Sequence, residues 1–154
     1  IGTQITIKSG IYESYLHKIN PELTVVSKAC PLFVPLVEEG LFEDRITEDV
    51  VSRYLHDMKE YEIDALVLGC THYPLLRGVI GREMGESVKL VNPAYETAKS
   101  LKDLLKEKDL LNVSGEKPEH KFFVSDGVDQ FRSFANSILP YQVENTTVVD
   151  IESY

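Results

Sequence analysis

Four apolar residues in a row, Ala65-Leu66-Val67-Leu68, stand between Asp64 and Gly69. A run without polar alternation is what a central strand of a parallel sheet requires, because other elements cover both of its faces. Around it, short apolar runs alternate with amphipathic helical stretches. That pattern predicts an α/β protein with an open, mostly parallel sheet flanked by helices. Further strands are expected at Leu23–Ala29, Val88–Val91, Lys121–Ser125 and Thr146–Val149.

The helices follow from apolar periodicity and cap residues. Ile11, Tyr12, Tyr15, Leu16 and Ile19 recur at helical spacing and stop before Asn20-Pro21. Leu32–Glu39 reads as a short helix or turn closed by Gly40. Val50, Val51, Tyr54, Leu55 and Met58 share one face of another helix, with Thr47 as its N-cap. Pro74 suits a first helical position, so a helix is expected from there to Glu83. Asn92 caps a helix carrying Ala98, Leu101, Leu104 and Leu105 inward. Asp126 caps one carrying Val128, Phe131, Ala135, Ile138 and Leu139. The polar stretch Asn112–His120, with Gly115 and Pro118, reads as a mobile loop.

A length of 154 residues fits one domain or two small lobes, and the expected boundary is Asn92-Pro93. Apolar residues at 43% supply a core, which excludes wholesale disorder. With 16 basic and 25 acidic residues the net charge is −9. That balance argues against nucleic acid or an anionic membrane as the main partner. The longest uncharged apolar-rich run, Ala65–Leu76, is too short to span a bilayer. Two cysteines make no disulfide framework. No secretory leader is visible, so a cytoplasmic location is expected. The opening Ile1-Gly2-Thr3 reads as a strand end entering a turn, and the chain as a piece of a longer protein.

Chemistry concentrates in Leu68-Gly69-Cys70-Thr71-His72-Tyr73-Pro74. Cys70 lies just past the carboxyl end of a parallel strand, where open α/β sheets bind ligands. A helix starting at Pro74 would aim its N–H groups at that point and lower the thiol pKa below its free value of about 8.5. The same N–H groups, with the Thr71 hydroxyl, could hold a carboxylate. His72 is close enough in sequence to exchange a proton there. A packing role is the alternative, since cysteine is often only a small buried hydrophobe. Cys30, Cys70 and His72 could supply three metal ligands, but their spacing matches no standard zinc site, and no metal is expected.

These residues carry a resemblance. Gly69-Cys70-Thr71-His72-Tyr73-Pro74-Leu75-Leu76 is similar to the second cysteine motif of the glutamate racemases, in the aspartate/glutamate racemase superfamily. The opening Ile1-Gly2-Thr3-Gln4-Ile5-Thr6-Ile7-Lys8-Ser9 resembles the start of that enzyme's second half. Ala29-Cys30-Pro31-Leu32-Phe33-Val34-Pro35-Leu36-Val37-Glu38 resembles a third family block. The blocks stand in family order, and the similarity weakens after Glu107.

The resemblance implies racemisation of L- and D-glutamate without a cofactor, supplying D-glutamate for peptidoglycan. Two cysteine thiols work on opposite faces of the α-carbon. Cys70 matches the second thiol, His72 the histidine assisting it, and Glu38 an acidic residue on that side. Thr71, Thr3 and Thr6 match residues lining the glutamate pocket. On the residues alone, Glu38 could be a solvated helix end, Thr3 and Thr6 turn and cap residues, and Cys30 core packing. His17, His56 and His120 read as surface. Residues 1–92 match the second of two α/β lobes, and residues 93–154 a segment returning to the first. The first half's cysteine, in an Asp-Ser-Gly and a Cys-Asn-Thr context, has no counterpart here. This chain alone is therefore expected to be inactive and to self-associate as a homo-oligomer or repack. A racemase for aspartate or another small amino acid, or a non-catalytic binding domain, are the competing readings.

Overall fold

The computed structural model describes residues 1–153, in two compact units. The first runs from Ile1 to Leu110 and holds six α-helices and one pair of parallel strands. The second starts at Leu111. The division thus falls beyond Asn92-Pro93, and the helix after Asn92 stays with the first unit.

In the first unit, α1 (Gln4–Lys8) and α2 (Ile11–Ile19) join at Gly10, whose φ of 63° favours glycine. Next come α3 (Phe33–Glu38) and α4 (Arg45–Leu55), followed by a 3-10 segment, His56–Tyr61. Strand β1 (Ala65–Val67) pairs in parallel with β2 (Lys89–Val91), Ala65 opposite Lys89 and Val67 opposite Val91. Between them lie a 3-10 turn, Tyr73–Leu76, and α5 (Arg77–Met84). Helix α6 (Pro93–Glu107) follows, its N-cap Asn92 accepting from the Ala94 and Tyr95 amides.

The core lies where α3, α4 and α5 meet β1. Phe33, Val37, Val51, Leu55, Leu66, Leu76 and Ile80 are buried there. Phe33 packs edge-on against Tyr54 and Tyr73, with ring centroids 5.5 and 5.1 Å away. Such pairs add about 0.5–1.5 kcal/mol beyond the area they bury.

The second unit is a small βαβ arrangement. Strands β3 (Phe122–Val124) and β4 (Thr146–Val148) run parallel and are joined through α7 (Val128–Ile138). Phe122 and Phe131 pack at 5.9 Å, and His120 stacks on Tyr141 at 4.8 Å. The Asn136 side chain accepts from the Val143 amide at 2.7 Å.

The α/β class and the parallel sense of the strands are as the sequence predicts, and several details differ. Leu23–Ala29 forms no ladder and makes a single bridge, Ala29 to Gly2. A ladder needs a neighbour along its length, and Ile1-Gly2 reaches only its last rungs. The cap of α4 is Asp44, whose Oδ1 accepts from the Ile46 amide at 2.8 Å. Thr47 is instead buried in the first turn, its hydroxyl donating to the Leu41 carbonyl. Gly127 occupies the N-cap of α7 with φ 62°, and Asp126 accepts from its amide. Ala98, Leu101 and Leu104 of α6 face solvent rather than inward, and Tyr15 and Ile19 of α2 are open as well. Among the described residues no helix is long and apolar enough to cross a membrane.

Candidate active site

Gly2 bridges Ala29 on one side and Gly69 on the other, both in the parallel sense. Thr3, Cys30 and Cys70 therefore follow three aligned strand ends at one edge of the sheet. This is the carboxyl edge, where α/β sheets place ligands. The close approach demands a glycine at 69. A Cβ there would lie 2.7 Å from the Ile1 carbonyl oxygen and 3.1 Å from the Tyr12 ring.

From Gly69 the chain turns, and Cys70 is half-buried with a free thiol. Its Sγ lies 3.9 Å from His72 Nδ1. Thr71 Oγ1 is 3.1 Å from the same nitrogen. The other ring nitrogen, Nε2, lies 3.7 Å from Glu38 Oε1 at the end of α3. At 3.7 Å the contact with Glu38 is an ion-pair distance and not a hydrogen bond. With Nδ1 unprotonated, its lone pair faces the thiol and the Thr71 hydroxyl. Glu38 is 61% exposed, so an ion pair with His72 there is worth little energy.

The expected helix forms with Pro74 in its first turn, but that turn, Tyr73–Leu76, is 3-10. Leu75 N–H donates to the His72 carbonyl at 3.0 Å, closing a 3-10 turn, and α5 begins only at Arg77 with no side-chain cap. Beside Cys70 lies the His72 ring, and His72 is also the residue that precedes the 3-10 turn.

Thr3 caps α1, its Oγ1 accepting from the Thr6 amide at 3.4 Å and lying 3.0 Å from Thr6 Oγ1. Thr3 precedes α1 and Thr6 lies in its first turn, so both hydroxyls have a local structural use already. Cys30 is fully buried, and burial pushes its thiol up to about 12, which makes it an inert core residue. Among the described residues no three His, Cys, Asp or Glu side chains gather as a metal cage. His56 is exposed at 3.5 Å from Glu83, and His120 is exposed, whereas His17 is half-buried and its Nε2 lies 3.0 Å from the Leu23 carbonyl.

Two residues escaped the sequence reading. Tyr73 is fully buried and its hydroxyl donates to the Cys30 carbonyl at 2.8 Å, anchoring the Cys70 turn to the neighbouring strand end. Tyr12 lies over Gly69. Tyr73 belongs to the cysteine motif, but nothing in its spacing signals an anchor.

No protein-family model matches the chain. Full-length similarity to characterised proteins is clear. A glutamate racemase of Thermoanaerobacter sp. is 46% identical across the whole chain, which covers 58% of that relative. One from Geobacter metallireducens is 43% identical over 99% of the chain and 57% of its own length. Over its whole length the chain is similar to glutamate racemases. Among solved structures, a glutamate racemase isoform of Bacillus anthracis matches with TM-score 0.89 and 38% identity, over 97% of this chain and 56% of that one. The glutamate racemase of Francisella tularensis in complex with D-glutamate matches with TM-score 0.88 and 37% identity, over 99% and 58%. The chain thus spans a little over half the length of these family members.

Proposed function

We propose that the whole protein interconverts L- and D-glutamate without a cofactor, and that Cys70 is one of its two proton-transferring groups. The observation carrying this reading is the half-buried Cys70 thiol, 3.9 Å from His72 Nδ1 at the end of β1. The Cys70 thiolate removes the α-proton of one enantiomer, and a thiol on the opposite face, outside this chain, delivers a proton. In the reverse direction the roles exchange. His72 takes the Cys70 proton and returns it, with its ring held by Glu38. In this reading Thr71, Thr3 and Thr6 line the glutamate pocket, and the Thr71 hydroxyl turns from His72 Nδ1 to donate to a substrate carboxylate.

The segment from residue 93 onward serves the other lobe of the whole enzyme. The product feeds peptidoglycan synthesis in the cytoplasm. The open apolar faces of α2 and α6 favour self-association when this chain stands alone. Circular dichroism of L-glutamate solutions tests the reading. The signal should decay to zero with the whole protein and persist with the 154-residue chain. A persistent signal with the whole protein rejects the activity, and decay with the chain alone rejects the need for the second thiol.

A further inference from the structure

We propose that Tyr73 is a positioning residue for proton transfer between Cys70 and His72, and that it acts through its hydrogen bond to the Cys30 carbonyl. The proposal rests on the reading of Cys70 and His72 as proton carriers.

The turn that holds both groups is closed mainly by bonds to its near neighbours in sequence. Cys70 N–H donates to the Leu68 carbonyl at 2.9 Å, and Leu75 N–H to the His72 carbonyl at 3.0 Å. The Tyr73 hydroxyl reaches further. It donates at 2.8 Å to a carbonyl 43 residues away, from the residue directly after His72. Its acceptor is a fixed point. Cys30 is fully buried, and its N–H donates to the Gly2 carbonyl at 3.0 Å. The same Cys30 carbonyl accepts from the Phe33 amide at 3.1 Å. Phe33 opens α3, whose last residue is Glu38, and its ring meets the Tyr73 ring edge-on at 5.1 Å. One carbonyl thus ties the residue beside His72 to the helix that carries Glu38.

The contact served by this tie has little slack. Cys70 Sγ lies 3.9 Å from His72 Nδ1, and Thr71 Oγ1 lies 3.1 Å from the same nitrogen. A neutral imidazole offers one lone pair there. A small swing of the turn leaves that lone pair to Thr71 and takes the thiol out of reach. Positioned proton transfer is sensitive to such displacements. A buried phenol without a partner would be costly, so its bond is kept. Burial also pushes the Tyr73 phenol up, which keeps the hydroxyl a donor through the neutral range.

Tyr73→Phe in the whole protein tests the proposal, with Ile80→Val as a control. Ile80 is buried in α5, and trimming it by one carbon lowers stability by a similar order. In Tyr73→Phe, kcat should fall about tenfold to a hundredfold in both directions. KM should stay within about twofold, because the hydroxyl touches no substrate. At neutral pH, alkylation of Cys70 by iodoacetamide should slow in Tyr73→Phe as it does in His72→Asn. Ile80→Val should keep both the unaltered kcat and the unaltered alkylation rate. Unchanged kcat in Tyr73→Phe overturns the proposal, as does a change confined to KM. Equal or faster alkylation of Cys70 overturns it too. So does an Ile80→Val protein as impaired as Tyr73→Phe, since general loosening would then be the cause. Failure of the racemase reading shows separately, as no glutamate turnover by the unaltered protein. The alkylation rates still decide whether Tyr73 sets the contact between Cys70 and His72.

Discussion

The Tyr73 hydroxyl donates to the Cys30 carbonyl across 2.8 Å in the core of the first unit. The bond joins the turn that carries Cys70 and His72 to the strand end preceding α3, whose last residue is Glu38. Tyr73→Phe keeps the edge-on contact with Phe33 and leaves the Cys30 carbonyl with one donor, the Phe33 amide at 3.1 Å. The expected loss is about 0.5–1.5 kcal/mol, the net worth of one hydrogen bond, read from the urea midpoint. An unchanged midpoint would show that the bond carries no stability.

Alkaline pH should weaken the fold through the same pair. Burial pushes the Cys30 thiol from its ordinary 9.0 to about 12 and raises the Tyr73 phenol as well. Both stay protonated in the folded state at a pH where the unfolded chain has lost the protons. Stability is therefore full below about pH 9 and falls as pH rises toward 12. At about 1.4 kcal/mol per pH unit, Cys30 alone accounts for roughly 3 kcal/mol of the loss between pH 9 and pH 11. Urea titrations at pH 8 and pH 11 measure it, and Cys30→Ala should flatten the dependence.

The two thiols should differ sharply toward iodoacetamide. Cys70 is half-exposed beside a histidine, whereas Cys30 is fully buried with its thiol held protonated. Mass spectrometry of the folded protein should find Cys70 alkylated long before Cys30. Equal rates would contradict the placement of Cys70 at an open strand end.

His72→Asn in the whole protein should slow racemisation by about 10²–10⁴-fold, the usual worth of a positioned proton carrier. Glu38→Gln should cost far less, because its carboxylate is largely solvated. Steady-state rates in both directions measure these effects. A Glu38→Gln loss as large as that of His72→Asn would contradict a role confined to orienting the ring.

Much of this site is written locally. The apolar run of β1, the glycine that ends it and the Cys-Thr-His turn are all contiguous, so strand, strand end and candidate thiol can be read together. The Thr3 and Asn92 caps are local as well. Where the outcome depends on a distant partner, the reading fails. The Leu23–Ala29 segment has a strand's composition, yet its ladder depends on how much chain lies beside it. Asp44 and Thr47 are both capping residue types, and only the Leu41 carbonyl decides which of them turns inward. The amphipathic faces of α2 and α6 are evident in sequence, but periodicity does not say what covers them. Tyr73's bond to Cys30 spans 43 residues and leaves no local trace.

The most direct measurement is the rate of D-glutamate formation from L-glutamate, and of the reverse, by the whole protein carrying Cys70→Ala. Without Cys70 one face of the α-carbon has no acid or base, so both rates should fall below detection. Cys70→Ser should be nearly as severe, because a hydroxyl is a far weaker base than a thiolate. The account is contradicted if the Cys70→Ala protein racemises glutamate in both directions at the rate of the unaltered enzyme.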